Sequence, residues 1–328
     1  MNKAAIIIVN WNGKKFLKNC LNAVYKQTYR NFQVYFVDNG SIDESSKFVK
    51  ENYSGALIVQ LDKNYGFAKP NNIAIKKAFK DKSVGYIVCL NNDTIVDRNW
   101  LKELIKTVQK DTKIGAVSSK AYFSDGRIQN AGLSLEKALQ INKEGGISLG
   151  YGLTDKEAPN LSKEIEIFAP GGVAPLYKRE ILEQIYYRDK EIFDEDFFAY
   201  AEDLDLGFRI RSLGYKSILS PKAKLIHLHS QTSKKASPFK TYYSERNTIL
   251  TAIKNLSIFN LLLFPFRNIV LKCSYLFKKN NSVQQLSKKV GSFGMVLILI
   301  KANLIATFYF PKMLIKRYRI NRKNNQSN

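Results

Sequence analysis

Histidine, cysteine and, in its last third, acidic residues are what this 328-residue chain has least of. Two histidines, His227 and His229, exclude a His-rich metal centre. Three cysteines, Cys20, Cys89 and Cys273, lie far apart without a CxxC pair. That excludes a zinc knuckle and a disulfide framework and predicts reduced, cytosolic thiols. The apolar run in MNKAAIIIVNW is too short for a signal-peptide core and passes directly into strand-like sequence, so secretion is not expected. Residues 1–230 carry 34 Lys+Arg against 27 Asp+Glu, a net of +7, whereas residues 231–328 carry 18 Lys+Arg and one acid, Glu245, a net of +17. The formal charge of +24 is thus concentrated in the last third.

What is present suffices for a packed core: 45% hydrophobic and 12% aromatic residues exclude disorder over most of the length. AAIIIVNW is a continuous β-branched run, as expected of a strand buried on both faces. FQVYFVDNGS, ALIVQL and GYIVCLNND give three further strands, separated by helical segments over 14–27, 43–52 and 68–80. This alternation predicts an α/β doubly wound, mostly parallel sheet with ligands beyond the carboxyl ends of its strands, where Asp38, Asn91 and Asp93 fall. Residues 121–165 read as loops and edge strands, and SILSPKAKLIHLHS as a late strand. SKKASPF breaks the pattern near residue 235, dividing a domain over 1–235 from a helical segment over 236–328.

Asp38 and Asp93 each end a strand, in VYFVDNGS and IVCLNNDT. Each reads either as a turn aspartate or as a carboxylate aimed at a ligand, and Asp93 suits a hard divalent cation shared with a diphosphate. His227 and His229 alternate in KLIHLHS, so a strand projects both to one face, in a metal-binding, phosphate-binding or purely structural role. Glu202 and Asp203 follow Phe197, Phe198 and Tyr200; on a helix they point differently, one to a cleft and one to a local partner. A carboxylate desolvated by aromatics at a helix start is a candidate general base, the alternative being a solvated acidic face. Asp205 and Arg209 read as an ordinary helix pair four residues apart.

Five motifs occur in order: IIIVNWNG, VDNGSIDES, NYGFAKPNNIAI, LNNDT and FDEDFFAYAEDLDLGFRIRSLGYK. With PKAKLIHLHSQTS and YYSERN after them, they resemble the family 2 glycosyltransferases of GT-A fold, particularly the rhamnosyltransferase-like members, over about residues 3–250. The resemblance implies inverting transfer of a sugar from a nucleotide-diphosphate donor, dTDP-rhamnose being the first choice. It implies donor contacts from Asp38, Asn10, Asn39 and Asp43. Asp93 matches the metal-binding acid, His227 the late metal-ligating histidine, Asp203 the catalytic base and Glu202 its neighbour. Asn91 stands where a DxD motif has its first Asp; its amide oxygen can still ligate Mg²⁺ or Mn²⁺, although one formal charge is lost. Gly171 and Gly172 would let backbone approach donor or acceptor closely. Arg246, in YYSERN, reads as a diphosphate contact or as a helix-surface ion pair. A departing nucleoside diphosphate calls for a cation, and the acceptor hydroxyl for one base. A non-catalytic nucleotide-sugar-binding subunit is the rival reading, kept open by Asn91. A nucleotidyltransferase is disfavoured because VNWNGKKF lacks the glycines of a phosphate loop.

The basic last third holds two apolar runs, 255–279 and 290–319, flanked by KKNN, SKK and KRYRINRK. The second approaches the ~20 residues of a spanning helix. Lys301 and Asn303 interrupt it and Pro311 is expected to end it; a cation at mid-bilayer costs about 2.5–3.5 kcal/mol. The expectation is a helix pair lying peripherally on an anionic membrane surface, at its cytoplasmic face, near a polysaccharide or lipid-linked glycan acceptor. The other reading is a pair of core helices. Nucleic acid is not expected, because the runs are too apolar for a groove-tracking arm.

Overall fold

Strands without polar alternation must be covered on both faces, and that requirement organises the molecule. The computed structural model describes residues 2–134, 148–228, 237–264 and 282–322. Strands β1 (Lys3–Asn10), β2 (Phe32–Asn39), β3 (Leu57–Leu61) and β4 (Val84–Asn91) lie parallel in the order β3-β2-β1-β4. Helices α1 (Lys14–Tyr25) and α4 (Trp100–Val108) pack Leu17, Leu21, Trp100 and Leu104 against Ile6 and Ile8 on one face. On the other face α3 (Ala68–Ala78), α5 (Arg179–Asp189) and α6 (Glu202–Ser212) pack Ile75, Ile181 and Leu206 against Ala5 and Ile7. A shorter helix, α2 (Ser45–Asn52), follows β2. Chain order reverses on the two sides of β1, so its carboxyl end opens onto the crevice between strands that favours ligands.

Beyond β4 the sheet is mixed. A short strand, Leu176–Lys178, lies antiparallel between β4 and Ile114–Tyr122. Lys216–His227 runs parallel to Ile114–Tyr122 and pairs antiparallel with Thr94–Val96 and Ile165–Ile167. Ile128–Asn130 pairs antiparallel with the end of Ile114–Tyr122, which places edge strands in the 121–165 region as expected. Cys20 and Cys89 are buried free thiols, and burial pushes the Cys20 thiol up to about 12; Cys273 and His229 lie outside the described residues.

Two long helices follow. α7 (Pro238–Asn255) starts on a Ser237 side chain that accepts from the Lys240 N–H at 3.1 Å. α8 (Ser282–Arg322) bends at Gly291, whose φ of +75° suits glycine. The expectation that Pro311 ends the apolar run is corrected: helix continues through it to Arg322. Proline removes one backbone hydrogen bond there, and packing outweighs that loss. Ala302, Ala306, Met313 and Ile320 are buried along one face, on both sides of Pro311. The first apolar run is described only to residue 264.

Candidate active site

The carboxyl ends of β1 and β2 are tied together by polar side chains. Asp38 is buried and its Oδ1 accepts from the Ser41 N–H at 3.0 Å. The Ser41 hydroxyl accepts from Asn10 Nδ2 at 3.1 Å, and Asn92 Nδ2 donates to Asn10 Oδ1 at 2.6 Å. Asn39 donates to Asn64 Oδ1 and to the Gly66 carbonyl, and accepts from the Tyr65 N–H. Asp43 instead binds protein: it accepts the Lys14 N–H at 2.9 Å, at the first residue of α1, and the Ser45 N–H and hydroxyl. That is a capping arrangement.

Asn91, Asp93 and His227, distant in sequence, meet at the end of β4. Asp93 Oδ1 lies 2.9 Å from His227 Nε2, and Asn91 Nδ2 lies 3.5 Å from the same nitrogen. Pairing of His227 with Thr94 on adjacent antiparallel strands sets this meeting. Gln129, which sequence reasoning missed, binds His227 Nδ1 through its Oε1. Both ring nitrogens of His227 are thus engaged by protein groups, Nδ1 by Gln129 and Nε2 by Asp93. Asp93 and His227 bring together a carboxylate and an imidazole of the kind that bind Mg²⁺ or Mn²⁺, while Asn91 presents its amide nitrogen; among the described residues no group of three His, Cys, Asp or Glu side chains gathers.

Glu202 and Asp203 open α6. Asp203 Oδ2 accepts from the Gly172 N–H at 2.9 Å, and Oδ1 from the Leu204 N–H at 2.8 Å. Glu202 is buried, and its Oε2 has no hydrogen-bond partner among the described residues. Burial, then the neighbouring Asp203 charge, pushes the Glu202 carboxyl up to about 8; burial also raises Asp203, against the pull of its two N–H donors. The two N–H donors on Asp203 favour its charged form, whereas Glu202 Oε2 has no such donor among the described residues. A side chain on Gly172 would meet both carboxylates at 3.5 Å, and one on Gly171 would run into Asn130 at 2.3 Å.

Backbone contacts join these parts. The Asn91 N–H donates to the Val173 carbonyl at 3.0 Å, one residue beyond the Gly172 N–H that holds Asp203. On the other side Gly66, held by Asn39, abuts the Phe198 carbonyl so closely that a Cβ would lie 2.2 Å from it. Arg246 is buried and donates to the Asp196 and Phe197 carbonyls, at 2.7 and 3.0 Å, rather than standing on a helix surface. Asp205 and Arg209 form the expected i,i+4 helix pair at 2.8 Å, fully buried and joined by Lys254.

The chain matches the family model described as glycosyl transferase family 2 over residues 5–186. It is 28% identical over 244 residues to the O-antigen biosynthesis protein RfbC of Myxococcus xanthus, covering 71% of this chain and 18% of that protein. It is 27% identical over 209 residues to poly-beta-1,6-N-acetyl-D-glucosamine synthase of Staphylococcus aureus, covering 62% of this chain and 46% of that protein. The chain thus spans less than half the length of these curated relatives. Among solved structures, the Pyrobaculum calidifontis mannosyltransferase PcManGT with GDP-Man and Mn²⁺ aligns over 99% of this chain and 87% of its own, with TM-score 0.55 and 16% identity. TarS 1-349 of S. aureus with UDP aligns over 99% and 92%, with TM-score 0.52 and 16% identity. GalNAc-T7 with UDP, GalNAc and Mn²⁺ aligns over 77% and 48%, with TM-score 0.57 and 16% identity. These likenesses establish a shared GT-A fold.

Proposed function

Because the chain belongs to glycosyl transferase family 2, we propose that it transfers a sugar, with inversion, from a nucleotide-diphosphate donor to a glycan acceptor. The observation that carries this reading is the buried Asp203 at the start of α6, whose two oxygens accept the Gly172 and Leu204 N–H groups beside the buried Glu202. In this reading Asp203 takes the proton of the acceptor hydroxyl as that oxygen attacks the anomeric carbon. Glu202 stays neutral and spares the base a second adjacent charge. Asp38, Asn10 and Asn39 hold the donor's base and ribose, and the Gly171-Gly172 backbone approaches donor or acceptor closely. Asp93 and His227, with the Asn91 amide turned to present its oxygen, would hold a divalent cation, and that cation would offset charge on the departing diphosphate.

The donor is proposed as dTDP-rhamnose and the acceptor as a polysaccharide or lipid-linked glycan; likeness to an O-antigen biosynthesis protein supports an envelope glycan. Peripheral attachment at the cytoplasmic membrane face is proposed from α8. Its outer face exposes Phe293, Leu304, Phe308 and Ile315, and Phe293–Asn321 is long and apolar enough to cross a membrane. Packing of its other face on the protein favours lying on the surface. Nucleoside-diphosphate release should be measured with dTDP-rhamnose, UDP- and GDP-sugars, each with Mn²⁺, Mg²⁺ or EDTA. Cation-dependent release with one donor is expected. No release with any donor would favour the non-catalytic subunit.

A further inference from the structure

Three residues with positive φ precede the base. Phe198, Tyr200 and Ala201 have φ of +63°, +70° and +65°, a region that side chains disfavour and glycine tolerates. None of the three is glycine, so the surroundings must impose the conformation. Every carbonyl from 196 to 200 is held from outside the loop. Arg246 Nη2 donates to those of Asp196 and Phe197. The fully buried Asn247 directs its Nδ2 to those of Phe197, Ala199 and Tyr200, at 2.9, 2.7 and 2.7 Å. The Phe67 N–H donates to that of Phe198 at 2.6 Å. Arg246 Nε also donates to Asn247 Oδ1 at 2.9 Å, which fixes the amide so that its NH₂ faces the loop. The guanidinium in turn lies over the Tyr243 ring of α7 at 4.8 Å and the Tyr309 ring of α8 at 5.6 Å.

We propose that Asn247 and Arg246 are positioning residues: they clamp the 196–201 backbone, with its positive φ at Phe198, Tyr200 and Ala201, and so aim Asp203 at the acceptor hydroxyl. The YYSERN segment thus serves base geometry, and the helices after the sheet are part of the catalytic unit. The proposal rests on the transferase reading of Asp203.

The test uses the full-length chain with dTDP-rhamnose, UDP-N-acetylglucosamine and GDP-mannose as donor probes and Mn²⁺ present. Asn247→Asp keeps the shape but sets an acceptor against three carbonyls. It should lower kcat about 10- to 100-fold, as expected for buried hydrogen-bond loss, and leave donor KM within about threefold. Hydrogen exchange of the 196–203 peptide should accelerate. Adding Ala201→Gly, which removes the penalty for a positive φ, should restore about tenfold of the lost kcat. Arg246→Lys, a milder change, should give the same split if Asn247→Asp fails to fold. Donor KM rising in step with the loss of kcat would place Arg246 at the diphosphate and overturn the proposal. So would failure of Ala201→Gly to restore any rate. If the wild type releases nothing from any probe, the transferase reading fails; unchanged exchange at 196–203 in Asn247→Asp would then also refute the clamp.

Discussion

Glu202 and Asp203 are adjacent buried carboxylates that touch different things. Asp203 accepts two backbone N–H groups, while Glu202 Oε2 is buried with no partner among the described residues. The Glu202 carboxyl, ordinarily near 4.5, stands at about 8 in the folded chain, so folded protein keeps a proton that unfolded protein releases between those values. Its contribution to stability is full below the ordinary value and is lost as pH rises through the folded one. Urea midpoints measured at pH 5 and pH 8 should fall less for Glu202→Gln than for wild type; an equal fall would contradict the assignment. Residues of this kind were legible in the sequence as members of ordered motifs. Gln129 was not, because what matters is its Oε1 on His227 Nδ1, ninety-eight positions away, and no spacing rule reports that contact. Asn247 escaped for the same reason, its partners being carbonyls 47 to 50 positions earlier. Asp43 was legible as polar but not in its job, since an aspartate in a Ser-rich turn suits a cap as well as a ligand.

At the scale of elements, α5 to α8 are joined by buried charge. Lys254 on α7 bonds Asp194 at 2.8 Å and Asp205 at 2.9 Å, and Lys316 on α8 reaches Glu191, Asp194 and Asp196. Burial opposes ionisation of Asp194 and Asp205, but Lys254, with Lys316 and Arg209, outweighs it and holds both below the usual carboxylate range. Lys254→Met would leave two buried carboxylates short of a partner. It should cost about 3–5 kcal/mol of unfolding free energy. Lys110→Ala, which breaks the exposed Lys110–Glu164 pair, should cost under about 1 kcal/mol. Equal effects in denaturant titrations would show that the buried network contributes no more than a surface pair. The parallel strands and their helices were readable from hydrophobic runs, which depend on local sequence. The antiparallel Leu176–Lys178 strand was too short to announce its direction, and its place between β4 and Ile114–Tyr122 is a matter of tertiary pairing. Helix through Pro311 is likewise decided by the burial of Met313 and Ile320 beyond it.

For the whole molecule, the net of +17 in the last third overstates the charge offered to a membrane. Lys254, Lys312 and Lys316 are paired with acids of the 191–205 region, and Arg317 donates to the Ile253 carbonyl. Attachment should therefore depend chiefly on the apolar outer face of α8. Leu304→Glu with Phe308→Glu should abolish pelleting with phosphatidylglycerol vesicles, whereas raised salt should only weaken pelleting of the wild type; pelleting unaffected by the double change would refute the surface assignment. The same helices hold the loop before Asp203, so the tail and the site form one packed unit. What that unit does is tested most directly by comparing Asp203→Asn with wild type, using donor-binding calorimetry alongside turnover. The account predicts donor affinity within about threefold and a kcat at least about 100-fold lower, the lower bound of a general-base contribution. Turnover preserved in Asp203→Asn would contradict it.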